Sequence, residues 1–125
     1  MLFRKSTTDT GRKGEKIAAK FLKKNGYKVL DKNFHSAHGE IDIIACNKES
    51  LVFVEVKARK DCTANFENYG RPSEAVTKTK QKHIIFTSRI YLEKHPTDKE
   101  IRFDVIEVYF GKPVKICHIE NAFYS

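Results

Sequence analysis

Four charged residues in the first half of the chain have types and a spacing suited to phosphodiester chemistry. Glu40 and Asp42 stand two positions apart, and so do Glu55 and Lys57. Carboxylate oxygens are the ligands that Mg²⁺ and Mn²⁺ prefer in proteins. A lysine beside such an ion can orient an attacking water or stabilise the charge that grows on a phosphate. The set therefore indicates metal-assisted hydrolysis of phosphodiester bonds.

Strand periodicity predicts how these side chains meet. Both pairs lie in strand-like runs joined by a short polar loop, which is typical of a hairpin. Apolar faces match only if opposed residue numbers sum to 97, and this register sets Asp42 opposite Glu55 and Glu40 opposite Lys57. Two carboxylates directly opposite destabilise a sheet by up to about 1 kcal/mol. We therefore expect a divalent cation, Mg²⁺ or Mn²⁺, bound by Asp42 and Glu55, with Lys57 beside it and Glu40 as a further site candidate.

Glu15 is a fourth acidic candidate, because it falls inside the apolar arc of a predicted first helix, away from that helix's lysines. It could supply a further catalytic oxygen. A simpler interpretation places Glu15 at the edge of the helix and treats Asp42 and Lys57 as an exposed cross-strand ion pair, worth a few tenths of a kcal/mol.

The elements that must position these residues follow from periodicity and turn signals. Their order is α-β-β-β-α-β-β, which predicts an α/β fold with a central mixed sheet of about five strands flanked by helices. The predicted bounds are a helix over 11–25, strands over 27–34, 39–46 and 51–58, a loop over 59–72, a helix from Ser73 or Thr77 to His95, and strands over 101–110 and 114–119. Residues 1–10 are expected to form a flexible N-terminal segment before a single domain over 11–125.

Charge and composition limit the classes of partner that we expect the protein to bind. Lys and Arg number 24 against 16 Asp and Glu, a net charge of +8 in 125 residues, which favours nucleic acid. Apolar runs are too short to span a membrane, and three cysteines without a CxxC pair predict a cytoplasmic protein with reduced thiols. The basic residues expected to bind nucleic acid around the site are Arg59, Lys60, Arg71, Lys78, Lys80 and Lys82. Gln81 is a candidate to point into the site, whereas Phe86 and Ile90 are expected in the core.

The segments Gly39 to Asp42 and Phe53 to Lys57 resemble the PD-(D/E)xK nuclease signature, with Glu-Ile-Asp where Pro-Asp usually stands. Further matches between residues 11 and 123 make the chain similar to the YraN-like family of small bacterial proteins, relatives of Holliday-junction resolvases. The resemblance implies a restriction-endonuclease-like fold, a divalent metal and a nucleic-acid substrate. It assigns metal binding to Asp42 and Glu55, the catalytic lysine to Lys57, and the acidic residue of the first helix to Glu15.

Three functions remain open at this stage. The first is a metal-dependent endonuclease acting on structured DNA, for which a homodimer would suit a branched substrate. The second is a module of the same fold that binds nucleic acid, DNA in preference to RNA, without cutting it. The third is a scaffold protein with vestigial carboxylates.

Overall fold

The computed structural model describes residues 9–59 and 76–125. Within them the element order is the expected α-β-β-β-α-β-β. The elements are α1 (Asp9–Lys24), β1 (Lys28–Ser36), β2 (Gly39–Cys46), β3 (Ser50–Arg59), α2 (Lys78–Lys94), β4 (Glu100–Tyr109) and β5 (Lys115–Phe123).

The five strands form one mixed sheet in the order β1-β2-β3-β4-β5. Neighbouring strands are antiparallel except β3 and β4, which run parallel over their full length. A parallel pair needs a long crossover connection, and α2 lies in the one that joins β3 to β4. The predicted α/β fold with a five-stranded mixed sheet is confirmed.

Each face of the sheet carries its own apolar core, one under each helix. Ala18 and Leu22 of α1 pack on the Val52, Val54 and Val56 face of β3. On the opposite face, a second core contains residues from α2 and from four strands, among them Ile84, Tyr91, Phe53, Phe103 and Phe123. The alternation of side chains along β3 therefore separates the two layers of the fold.

The element ends differ from expectation in small ways. Helix α1 begins at Asp9, two residues early, and β5 extends four residues beyond the predicted end. The Thr77 hydroxyl caps α2 by accepting the Lys80 N–H at 3.2 Å, which settles the choice between the two predicted starts. Residues 1–8 and most of the predicted loop lie outside the described residues.

One core prediction was wrong. Phe86 on α2 is 43 % exposed, and its ring contacts the ring of His38.

In the described part of the chain, no helix is both long enough and apolar enough to cross a membrane.

A buried ionic network joins β4 to β5 and to Tyr27, between α1 and β1. Asp104 is fully buried and accepts hydrogen bonds from Arg102 at 2.8 Å, from the Asn121 N–H at 3.1 Å, and forms one with His118 at 2.7 Å. Arg102 also donates to the hydroxyl of Tyr27, just after α1. Burial opposes ionisation of Asp104, but the hydrogen bonds from His118 and Arg102 outweigh it and hold the pKa below its usual value. These hydrogen bonds therefore stabilise the sheet at one end, where β4 and β5 pair.

Candidate active site

The predicted β2–β3 register is correct where the two strands pair, and the pairing ends at the candidate site. Four residue pairs sum to 97, the last being Ile43 with Val54. Beyond it, the Asp42 side chain, fully buried, accepts the backbone N–H of Val56 at 2.8 Å through Oδ2. The expected pairings of Asp42 with Glu55 and of Glu40 with Lys57 lie past the last of the four pairs. Asp42 therefore stands at the position where β2 and β3 stop pairing.

Strict alternation along β2 does not hold at Asp42. Ile43 packs in the core under α1, as expected, but Ile41 packs in the core under α2. Gly39 also faces α2, since a β-carbon there would come within 3.0 Å of His83 Cβ. The expectation that Glu40 stands opposite Lys57 assumed an unbroken alternation along β2, which the two cores do not show. Glu40 is instead linked through Asn33 to Glu15 of α1.

Asn33 joins Glu40 to Glu15, a link that the sequence analysis missed. With its amide nitrogen directed at the surrounding acceptors, Asn33 donates to Glu40 Oε2 at 3.0 Å and to Glu15 Oε1 at 3.2 Å. Asn33 has a positive φ of 53°, a conformation that asparagine tolerates better than most residues. His35 lies near the same oxygen of Glu40, with Nδ1 3.8 Å from Oε2. Glu15 is thus linked to Glu40, near the start of β2, through a polar residue of β1.

Lys80 is the basic residue of α2 that reaches the carboxylates. Its ammonium nitrogen lies 3.8 Å from Oε2 of the buried Glu55. The Thr77 cap fixes the first turn of α2, and this turn presents Lys80 to β3. Lys80 was predicted to bind nucleic acid, and its pairing with Glu55 could not be predicted because it depends on where α2 docks.

Lys57 adjoins a second buried carboxylate, Glu107, which the sequence analysis also missed. In the parallel pairing of β3 with β4, Lys57 is the register partner of Glu107. Glu107 accepts hydrogen bonds from Arg59 Nη2 at 3.3 Å and from the Tyr109 hydroxyl at 3.0 Å. Burial and the hydrogen bond to Glu107 raise the pKa of Tyr109 to about 12. The signal was available in the strand pattern, since Glu107 interrupts the apolar face of β4 formed by Phe103, Val105 and Tyr109.

The remaining predicted residues lie on α2 or outside the described residues. Lys78 and Lys82 are exposed on α2. Gln81 donates to the Val76 carbonyl at 3.0 Å and lines a cleft that reaches the end of β5. Lys60 and Arg71 fall outside the described residues.

The donor chemistry of the site suits a hard divalent cation. Glu15, Glu40, Asp42 and Glu55 are 8 %, 4 %, 0 % and 2 % exposed. Within residues 9–59 and 76–125, no group of three or more His, Cys, Asp or Glu side chains is close enough together to hold a metal ion. Mg²⁺ is usually bound through one or two carboxylates and completes its shell with waters and substrate phosphates, so Asp42 and Glu55 fit this mode and not an all-protein cage.

Comparison with known proteins gives a consistent family. The model of uncharacterised protein family UPF0102 matches residues 14–108. A UPF0102 protein of Caldanaerobacter subterraneus is 46 % identical over 118 residues, covering 90 % of this chain and 93 % of its own. One from Clostridium perfringens is 46 % identical over 114 residues, covering 90 % and 83 %. A third, from Chlorobium phaeobacteroides, is 40 % identical over 125 residues, covering 94 % and 95 %. The matches confirm the resemblance to YraN-like proteins.

Proposed function

The chain belongs to uncharacterised protein family UPF0102, and we propose that this member is a metal-dependent endonuclease that hydrolyses phosphodiester bonds in DNA, including branched DNA. The observation that carries the proposal is the burial of Asp42 and Glu55 where β2 and β3 stop pairing. Removing carboxylates from water costs several kcal/mol each, and such a cost is typical of a site that uses the charge.

Each residue has a role in this proposal. Asp42 and Glu55 would hold Mg²⁺ or Mn²⁺, and the ion would lower the pKa of a bound water and offset the negative charge of the phosphate. Lys57 would orient the attacking water, and Glu15, held beside Glu40 by Asn33, would accept a hydrogen bond from the water or the substrate. Lys80 would balance the charge of Glu55 before the substrate arrives.

The basic residues around the site would hold the DNA backbone. Lys78 and Lys82 are exposed and free to contact phosphate, and Lys60 and Arg71 are expected to do the same. A homodimer would suit cleavage of a branched substrate on two strands, and sedimentation of the protein alone and with a four-way junction would test it.

A cleavage screen tests the proposal directly. Branched, flapped and linear DNA are incubated with the protein and either Mg²⁺ or Mn²⁺. Lys57→Ala is expected to reduce the cleavage rate by 10²-fold or more, a loss typical of a residue that orients and stabilises at the reaction centre. Lys94→Ala removes one exposed lysine to which no role in DNA binding is assigned, and it serves as the matched control. Equal rates for wild type and Lys57→Ala would refute the assignment.

The second candidate is a module that binds nucleic acid without cleaving it. It is favoured by the net charge of +8 together with a described site that offers a metal fewer than three clustered ligands. This function predicts salt-sensitive DNA binding that survives both Asp42→Ala and Lys57→Ala, with no cleavage of any substrate.

A further inference from the structure

A basic groove runs along α1, on residues that the proposed active site does not use. Its volume is about 550 Å³, and Ile17 and Phe110 contribute its apolar lining. Five exposed lysines line it: Lys13, Lys16, Lys20, Lys23 and Lys32. We call it the α1 groove. None of the described residues that line it is acidic.

The lysines of the α1 groove form a single stripe. Four of them follow each other along α1 at intervals of three, four and three residues, which places them on one side of the helix. Lys32 of β1 adds the fifth charge from the sheet. Five like charges on one concave surface repel one another, and a polyanion lying in the groove would relieve that repulsion.

The α1 groove and the candidate active site are built on the same two elements, α1 and β1. Glu15 faces the protein interior from α1, whereas the lysines of the groove face solvent. The link along the chain is Lys32, which immediately precedes Asn33, the residue that binds Glu15 and Glu40. A phosphate backbone held by Lys32 would therefore lie next to the residue that joins the two carboxylates. Resting on the proposed function, we propose that the α1 groove binds the backbone of duplex DNA on its way to or from the site of cleavage.

An anionic membrane is the competing occupant, and the packing of α1 argues against it. A helix that lies on a bilayer inserts an apolar face into it. The apolar face of α1 is used in the protein core, where Ala18 and Leu22 are fully buried. The residues that α1 exposes fully along the groove are lysines, while Ile17 is half-buried among them, and this combination suits DNA.

The dimensions give the expected effect. Ten residues separate Lys13 from Lys23, a rise of about 15 Å. One strand of B-DNA presents about four phosphates over that length of axis. Four contacts predict that affinity falls about 150-fold between 50 and 200 mM salt, from a slope of about −0.9 per contact. Losing two of them leaves a fall of about 12-fold.

The test measures binding of a fluorescent 30-base-pair duplex at several salt concentrations without divalent metal. The double variant K20E/K23E is compared with K48E/K94E, which changes the net charge equally at exposed lysines outside the groove. We expect K20E/K23E alone to weaken binding and to reduce the salt slope by about 1.8. If the variant does not fold by circular dichroism, K20Q/K23Q replaces it.

Any other outcome would refute the proposal that the α1 groove binds duplex DNA. These are absence of duplex binding, equal effects of both double variants, or tighter binding to phosphatidylserine vesicles than to the duplex. Cleavage assays on the same preparations separate the two proposals. Binding through the groove without cleavage would refute the nuclease alone, whereas cleavage by K20E/K23E with wild-type affinity would refute the groove alone.

Discussion

Asp42 combines a structural and a proposed catalytic role, and two substitutions separate them. Its Oδ2 accepts the Val56 N–H inside the protein, and its charge is proposed to bind metal. Asp42→Ala removes both functions. Asp42→Asn keeps an oxygen that can accept the Val56 N–H and removes only the charge.

The hydrogen bond sets the expected loss of stability. Removing the acceptor of a buried backbone N–H costs about 1–3 kcal/mol, so Asp42→Ala should lower the free energy of unfolding by that amount. Asp42→Asn should stay within about 0.5 kcal/mol of wild type, because it keeps an acceptor for the Val56 N–H. Urea denaturation in EDTA measures both differences.

Metal sets the second difference. Mn²⁺ at 100 times its dissociation constant should stabilise the wild type by about 2.7 kcal/mol. For a domain of this length that corresponds to a rise in Tm of about 10 °C, from an unfolding entropy of about 2.1 cal/mol/K per residue. Neither Asp42 variant should show the rise. A Tm of Asp42→Asn that rises with Mn²⁺ as much as that of wild type would refute the metal site.

Two further predictions concern the packing that supports the site. A β-carbon on Gly14 would lie 2.9 Å from Ala58 Cβ. Gly14→Ala should therefore cost about 1–3 kcal/mol in overpacking and gain about 1 kcal/mol in helix propensity. We expect a net destabilisation of about 1 kcal/mol. In urea denaturation Ala58→Gly should offset part of that loss, and strictly additive effects of the two changes would contradict the close contact. Because the pKa of Asp104 is lowered in the folded state, its contribution to stability is complete above the ordinary aspartate pKa of 3.8 and is lost as the pH falls through the folded-state pKa. Urea denaturation between pH 3 and 6 should therefore show that the stability of the wild type falls at the acidic end, whereas that of Asp104→Asn does not. Near neutral pH, Asp104→Asn should be less stable than wild type by about 3–5 kcal/mol, because Arg102 loses its buried partner. An equal loss of stability at acidic pH in Asp104→Asn would contradict the assignment.

Periodicity and turn chemistry accounted for the architecture. The alternation of Val52, Val54 and Val56 identified the face that α1 covers, and the polar loop before Ser50 fixed the register of β2 with β3. Thr77 supplied a recognisable helix start. Each of these features involves residues close together in the sequence, so it can be predicted from the sequence alone.

The parts of the site that could not be predicted depend on tertiary packing. The interruption of alternation at Asp42 became visible only with both cores in place. The contact of Lys80 with Glu55 depends on how α2 docks, and the bridge from Asn33 to Glu15 depends on how α1 docks. The acidic candidates could therefore be proposed from the sequence, but the residues that contact Glu15, Glu40 and Glu55 could not.

The parallel pairing of β3 with β4 has a consequence for how the protein folds. Every register pair, from Ser50 with Glu100 to Arg59 with Tyr109, joins residues 50 positions apart. Contacts so distant along the chain form slowly, because the entropy of closing the intervening loop is lost before the pairing compensates for it. The β2–β3 hairpin is local and can form early, whereas the Arg59–Glu107 contact waits for this closure. The hydrogen bond from Arg59 to Glu107, the register partner of Lys57, therefore forms in the slow phase of folding.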